Sequence, residues 1–533
     1  MKILKFAALV LCMVIMLGGC SPGNHSEITT REIEAHLRFL SDDLLEGRAV
    51  GSRGEALAAL YQETQFRLAG VEPFFEESFQ QPFALRGSRP DPRATLEILR
   101  GRTKTAHPYR EAFVATSYCQ DAPQVVEAEI VYGGYLIQAP ERGWDDIKGA
   151  DLRGKILLCE VNEPGNYEGG IFDGEDMTYY GRWTYKLEKA AELGAAGALI
   201  IHNTKGAAYG WEVVQNSWAG EGFFLPDRPQ TLFFQGWVRG ETAGSIFEAA
   251  GQDRQKLLAR AEGKDFKPVP LGLKARLRQK PSFRTVEVRN IVGQVFPLNK
   301  KYMDRTIILS AHYDHLGRDV QREGDQVYNG AVDNCSASAS LLALGRYYAR
   351  HPEELRVRLL LAAVTAEEEG LLGSDYLARH LPLEKSSVLA DLNLEMTNVW
   401  GETEDVFAIG AKHSDLDDVC RRAAEFLGLR TIPEREGNLG YFFRSDQLSF
   451  ARAGIPGVWL HEGIVSRGAD KELIKRKTED YKKNRYHKVT DQFEPDWDLR
   501  GTVQICRWAQ EIIRLLGQQK SLPQFRPTSS FKR

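Results

Sequence analysis

Three short apolar runs constrain this chain more than anything else in it. They are Thr306-Ile307-Ile308-Leu309-Ser310, Val357 to Val364, and Val388 to Leu394. Short apolar runs of this kind read as core strands. Each is followed by ionisable groups. His312 and Asp314 come after the first, Glu367-Glu368-Glu369 after the second, and Glu395 closes the third. An α/β sheet gathers its active site at such strand ends. A charged run on a solvated surface would not keep returning to that position.

From about residue 270 the pattern alternates. Strands are expected at 286–296, 306–311, 356–364, 388–394 and 456–460, and helices at 336–350, 371–380, 413–427 and 499–516. That order predicts an α/β fold: a mixed, mostly parallel sheet with helices on both faces. Upstream, Thr30 caps an expected helix from Arg31 to Leu45. A second helix runs from Arg53 to Ala69 and stops at Gly70, and short strands follow around Phe79–Leu85 and Ala94–Leu99. Between about 111 and 265 the texture changes to a smaller, strand-rich unit. Glu129–Tyr132 and Lys155–Val161 flank a turn at Asp151–Gly154, and a helix from Tyr185 to Leu193 leads into Gly197–His202. Residues 29–110 and 266–520 then belong together, and the polar tail 521–533, with Pro523 and Pro527, is expected to be loose.

The first residues read as a targeting segment. Lys2 and Lys5 precede an apolar run from Phe6 to Leu17, too short to span a bilayer. Leu17-Gly18-Gly19-Cys20 follows and resembles a bacterial lipobox. That resemblance implies a signal peptide over 1–19, lipid on Cys20, and a tether over 20–28. It places the protein in the cell envelope, on the periplasmic face of an outer membrane or at the cell surface, with Ser21 favouring the outer membrane. A net charge of −4 and the lack of a basic stripe set nucleic acid aside as a partner. Of seven cysteines, Cys12 and Cys20 are accounted for in that way. Cys119, Cys159, Cys335, Cys420 and Cys506 remain, an odd number without a Cys-x-x-Cys pair, so a thiolate metal site is not expected. Cys335 reads as a small packing residue.

Five candidate metal ligands occur in order: His312, Asp333, Glu368, Glu395 and His487. Two imidazoles and three carboxylates suit two Zn²⁺ ions sharing one carboxylate, with Mn²⁺ or Co²⁺ as other occupants of such a site. If extended backbone continues past His312, Asp314 lies on the same side and accepts the second ring proton of that histidine.

In these motifs the chain resembles the co-catalytic di-zinc aminopeptidases, a family that includes relatives acting as carboxypeptidases and glutaminyl cyclases. The resemblance extends to Leu44-Leu45-Glu46-Gly47-Arg48, Ser445-Asp446 and Tyr486-His487, and so covers nearly the whole mature chain. The strand-rich 111–265 unit resembles the protease-associated domain inserted in many exopeptidases. The resemblance implies that Asp333 bridges the metals, with His312 and Glu395 on one and Glu368 and His487 on the other. It further implies Glu367 as general base and Tyr486 as donor to a tetrahedral oxyanion, with Asp314, Asp446 and Asp491 as supporting carboxylates. Peptides are the implied substrates.

Three positions depart from the family pattern. Glu395 stands where Asp is usual, Gln447 where His is common, and Val332 where an acid often precedes the bridging Asp. Glu395 keeps open a single-zinc, glutaminyl cyclase-like transferase. A carboxypeptidase or dipeptidase would need cations for a substrate carboxylate, for which Arg444, Arg452 and Arg467 are candidates. A non-catalytic binding protein on the same scaffold, like the transferrin receptors, would be marked by lost ligands, and none is lost here.

Overall fold

The computed structural model describes residues 28–165, 170–228 and 230–533. The signal segment and Cys20 lie outside the described residues. Among those described, no helix is long and apolar enough to cross a membrane.

Four parallel strands form the centre of the main sheet, in the spatial order Arg358–Val364, Thr306–His312, Val388–Leu394 and Gly457–Glu462. Antiparallel strands extend it on both sides. Ser282–Val295 and Gln80–Arg89 lie beyond Arg358–Val364, and Asp405–Ile409 lies beyond Gly457–Glu462. The sheet is therefore mixed, with its parallel strands at the centre.

The alternation of side chains across each strand explains why both faces carry helices. Ile307, Leu309, Leu359, Leu361, Leu392 and Leu394 face one core. They pack there with Thr30–Leu40, Arg53–Ala69, Ala337–Arg350, Leu416–Phe426 and Arg500–Gln518. Ile308, Leu360, Ala362 and Val364 face the other way, onto Leu377 and Ala378 of Leu372–Arg379 and Phe450 of Gln447–Arg452. Each such Leu or Ile contributes about 1.5–3 kcal/mol through burial.

Three boundaries differ from those the sequence predicts. The first helix is capped by Thr29 and ends at Leu40 rather than Leu45. Asp42 accepts a hydrogen bond from the Leu44 N–H and starts a separate tight turn, Asp43–Arg48, so side-chain capping interrupts the helix. The strand-rich unit reaches beyond 111–265. Its eight-stranded sheet takes in Thr95–Arg100, Thr103–His107 and Val269–Arg278. The reason is periodic burial: Leu96 and Ile98, with Leu271, Leu273, Ala275 and Leu277, turn alternate residues into that unit's own core. The C-terminal tail is packed, not loose. Phe525 and Phe531 join Phe442 and Phe443 in one apolar cluster, and Arg533 donates to the Pro523 carbonyl at 2.9 Å.

The five described cysteines are free. Cys335 is buried, and burial pushes its thiol up to about 12, which suits an inert packing role.

Candidate metal centre

The site forms where the central strands end. His312 closes its strand, fully enclosed. Its Nε2 lies 3.3 Å from Asp333 Oδ1 and 3.3 Å from Glu395 Oε1. Asp333 reaches this point from the Ala331–Ser336 turn, which leads into the Ala337–Arg350 helix. Its other oxygen, Oδ2, is 3.2 Å from His487 Nε2, and that nitrogen is also 3.2 Å from Glu368 Oε2. Two three-residue groups thus share Asp333: His312 and Glu395 on one side, Glu368 and His487 on the other. All five sequence-predicted ligands are brought together.

Asp333, Glu395 and His312 are held from behind. Asp491 accepts the backbone N–H groups of Val332 and Asp333 at 3.0 and 3.1 Å and the Tyr481 hydroxyl at 3.1 Å, which fixes the Asp333 turn. Ser445 donates to Glu395 Oε2 at 2.8 Å. Asn393 donates to Ser445 Oγ and to Gln447 Oε1, so Gln447 anchors the residues behind Glu395. The second ring nitrogen of His312 lies 3.2 Å from the backbone carbonyl of Asp314 and 3.7 Å from its carboxylate. That carboxylate instead accepts the N–H groups of Glu367 and Glu368, at 3.1 and 3.3 Å. Asp314 therefore positions the acidic turn more directly than it orients His312. Asp446 is buried; burial pushes its carboxyl up to about 7, against the pull of His312.

Glu367 sits beside the ligands without joining either group. Its Oε2 is 4.0 Å from His312 Nε2. Tyr486 stacks on His487 with ring centroids 4.0 Å apart and stays 40% exposed, so it is reachable from solvent. It forms part of the wall of an open cavity that also includes Trp400, Phe407, Tyr441 and Trp459.

Two contributors were not assigned from sequence. His315 is buried and its Nδ1 lies 2.6 Å from Glu368 Oε1, so it holds that carboxylate from the side opposite His487. Its place three residues after His312 was the one available signal. Arg48, buried in the core, donates to four backbone carbonyls: Leu40, Tyr313, Asn329 and Gly330. It ties the first helical segment to both loops that bring His312 and Asp333 together.

The electrostatics suit multivalent cations. Burial disfavours the imidazolium of His312, yet Glu395 and Glu367 outweigh it and raise its pKa well above the ordinary value. Glu368 and Asp333 do the same to His487. Burial and the neighbouring Glu368 and Glu395 raise Glu367 well above the carboxylate range, against His312. Asp333, Glu367, Glu368 and Glu395 crowd four carboxylates into one enclosed space. Two divalent cations would balance their four charges, and the mixed nitrogen and oxygen donors fit zinc. His312, Asp333 and Glu395 are spaced to hold one ion, and His315, Asp333 and Glu368 a second; His487, 3.2 Å from both Asp333 and Glu368, stands beside that second group.

Residues 290–508 match the model of Peptidase family M28. The matched stretch contains every candidate ligand named above. Over 159 residues the chain is 29% identical to a probable zinc metalloprotease of Leptosphaeria maculans, covering 28% of this chain and 36% of that protein. Over 93 residues it is 36% identical to a probable zinc metalloprotease of Pyrenophora tritici-repentis, covering 17% of this chain and 18% of that one. The matches thus span about a third or less of these curated relatives. Among solved structures, the chain is similar to an aminopeptidase from Aneurinibacillus sp. strain AM-1. The TM-score is 0.54 at 22% identity, with 93% of this chain and 95% of that chain covered, which shows a shared fold.

Proposed function

We propose that this chain is a zinc-dependent exopeptidase that removes N-terminal residues from peptides. The observation that carries the reading is the pair of donor groups joined through Asp333, with Glu367 beside them as a carboxylate left out of both. Zinc bound there would supply Lewis acidity and make water nucleophilic near neutral pH.

The chain's own residues supply the rest. Glu367 takes the proton of the attacking water and hands it to the departing amine, which needs a carboxylate beside the ligands but not among them. Asp314 fixes the backbone of Glu367 and Glu368, so the base and its ligating neighbour keep different directions. Tyr486, stacked on His487, offers a phenolic O–H to charge developing on the scissile carbonyl oxygen. The aromatic cavity next to Tyr486 suits a large apolar side chain of the residue being released. The fold shared with the Aneurinibacillus aminopeptidase supports attack from the amino end. The Cys20 motif supports a lipid-anchored location at the bacterial cell envelope, where extracellular or periplasmic peptides are met.

The glutaminyl cyclase-like alternative rests on one functional zinc. Glu395 reaches the His312–Asp333 group in spite of its extra methylene, and that favours two ions.

A peptide-library digest read by mass spectrometry tests the proposal. The expected result is stepwise loss of N-terminal residues that stops on chelation and returns with Zn²⁺. Release from the carboxyl end, or pyroglutamate formation without hydrolysis, would overturn it.

A further inference from the structure

Arg182 and Arg444 lie on two touching segments, close enough for their like charges to repel, and among the described residues neither is paired with an acid. Arg182 comes from the strand-rich unit and Arg444 from the loop just before Ser445. The two segments are in direct contact. Met177 N–H donates to the Gly437 carbonyl at 3.0 Å, and the Tyr179 and Phe443 rings lie 6.0 Å apart. Among the described residues, neither guanidinium has a carboxylate within salt-bridge distance, and the Nε of each is buried without a hydrogen-bond partner. Like charges brought this close repel: burial first, and then Arg444, lowers the Arg182 pKa. The neighbouring cations differ. Arg452 is paired with Glu188 at 2.9 Å and Lys412 with Asp176 at 2.6 Å.

Two unneutralised, partly enclosed guanidiniums are costly unless an anion completes them. The pair also has a direction. Arg444 lies over the Tyr441 ring at 5.9 Å, and Tyr441 forms a wall of the cavity together with Tyr486. The residue after Arg444 donates to Glu395. Arg444 is therefore tied on one side to a wall of that cavity, through Tyr441, and on the other to the metal centre, through Ser445.

We propose that Arg182 and Arg444 receive a carboxylate of a short peptide whose scissile bond lies at the metal centre, so that the enzyme selects short peptides with a free C-terminus. Guanidinium forks match carboxylate geometry, and neither donor has a competing carboxylate among the described residues. The strand-rich unit then takes part in substrate choice by contributing Arg182. This inference rests on the exopeptidase reading and names the substrate class for it.

The test compares Phe-Ala-Ala with its C-terminal amide on the full, zinc-loaded chain. A charge-assisted pair predicts at least about tenfold higher kcat/KM for the acid, expressed mainly in KM. Arg182→Gln and Arg444→Gln should each collapse that ratio towards unity, and Arg444→Lys should restore part of it. Phe-Ala-Glu-amide against Phe-Ala-Gln-amide separates a side-chain carboxylate from the terminal one. A preference for the Glu peptide equal to that for the free acid would overturn selection by the C-terminus. Equal rates on acid and amide, or a ratio unmoved in both Gln variants, would overturn the inference and leave the peptidase reading standing. If no peptide is cleaved, that reading fails. Calorimetric binding of the same acid and amide then decides the carboxylate site by itself: tighter binding of the acid supports it, and equal binding removes it.

Discussion

Replacing Arg48 with methionine should destabilise the protein and loosen its metal centre together. The guanidinium donates to Tyr313 O at 2.8 Å, to Leu40 O and Asn329 O at 2.6 Å each, and to Gly330 O at 3.3 Å. The three short bonds to a charged donor are worth roughly 1.5–3 kcal/mol each, or about 5–9 kcal/mol if they simply added. Methionine keeps the aliphatic length and removes the cost of burying a cation, which returns several kcal/mol. The net loss should be about 3–5 kcal/mol, a large share of the roughly 5–15 kcal/mol that holds a typical domain folded. Tyr313 and Gly330 belong to the loops that present His312 and Asp333, so zinc affinity should fall as well, by about 10–100-fold, as when other supporting groups of metal ligands are lost. Urea unfolding of the metal-free protein and a competitive zinc titration measure the two effects. A stability loss under about 1 kcal/mol with unchanged zinc affinity would refute the claim that Arg48 fastens these loops.

Three further substitutions bear on the account. Glu367→Gln should lower kcat by about 10²–10⁴-fold while metal content, read by elemental analysis, stays at the wild-type level; near-normal turnover would remove Glu367 from the base role. Glu395→Asp draws the carboxylate back by about one bond, roughly 1.5 Å. It cannot then meet both Ser445 and the His312 group, and one zinc should bind about 10–100-fold more weakly in a titration; tighter binding would contradict the geometry. His413 packs among Phe442, Phe443 and Phe531, and burial, with Lys412, lowers its pKa to about 4. Between an unfolded value near 6.5 and that folded value, the unfolded chain binds a proton that the folded one excludes. Its contribution is fully present above about pH 6.5 and is lost as pH falls towards 4, amounting to about 2–3 kcal/mol. His413→Gln should flatten that part of the slope in urea midpoints taken from pH 4.5 to 7, and an unchanged slope would exclude the mechanism.

The parts of the fold legible in the sequence are those where one residue's burial shows in its immediate neighbours. Val388–Leu394 is apolar almost throughout and occupies the bounds its composition suggests. Leu473–Asn484 buries only Ile474 and Tyr481, too few to draw a helical stripe in the sequence. Asp405–Ile409 is likewise illegible, because five residues at the far side of the sheet give little periodicity. The candidate ligands stand out through motif and order: His312, Glu368 and Glu395 each close or follow a core strand, while Asp333 lies in a helix-leading turn and His487 follows a helix. Their supports do not. His315 meets Glu368 across 53 positions, and Arg48 meets Asn329 across 281, distances over which local pattern says nothing. The tail misled through its prolines and polar residues, while Phe525 and Phe531 decided its packing.

Anomalous diffraction at the zinc edge tests the central claim most directly. Two peaks flanking Asp333 are expected, one bonded to His312 and Glu395 and the other to Glu368 and His487. A lone peak, or zinc bound away from Asp333, would contradict it.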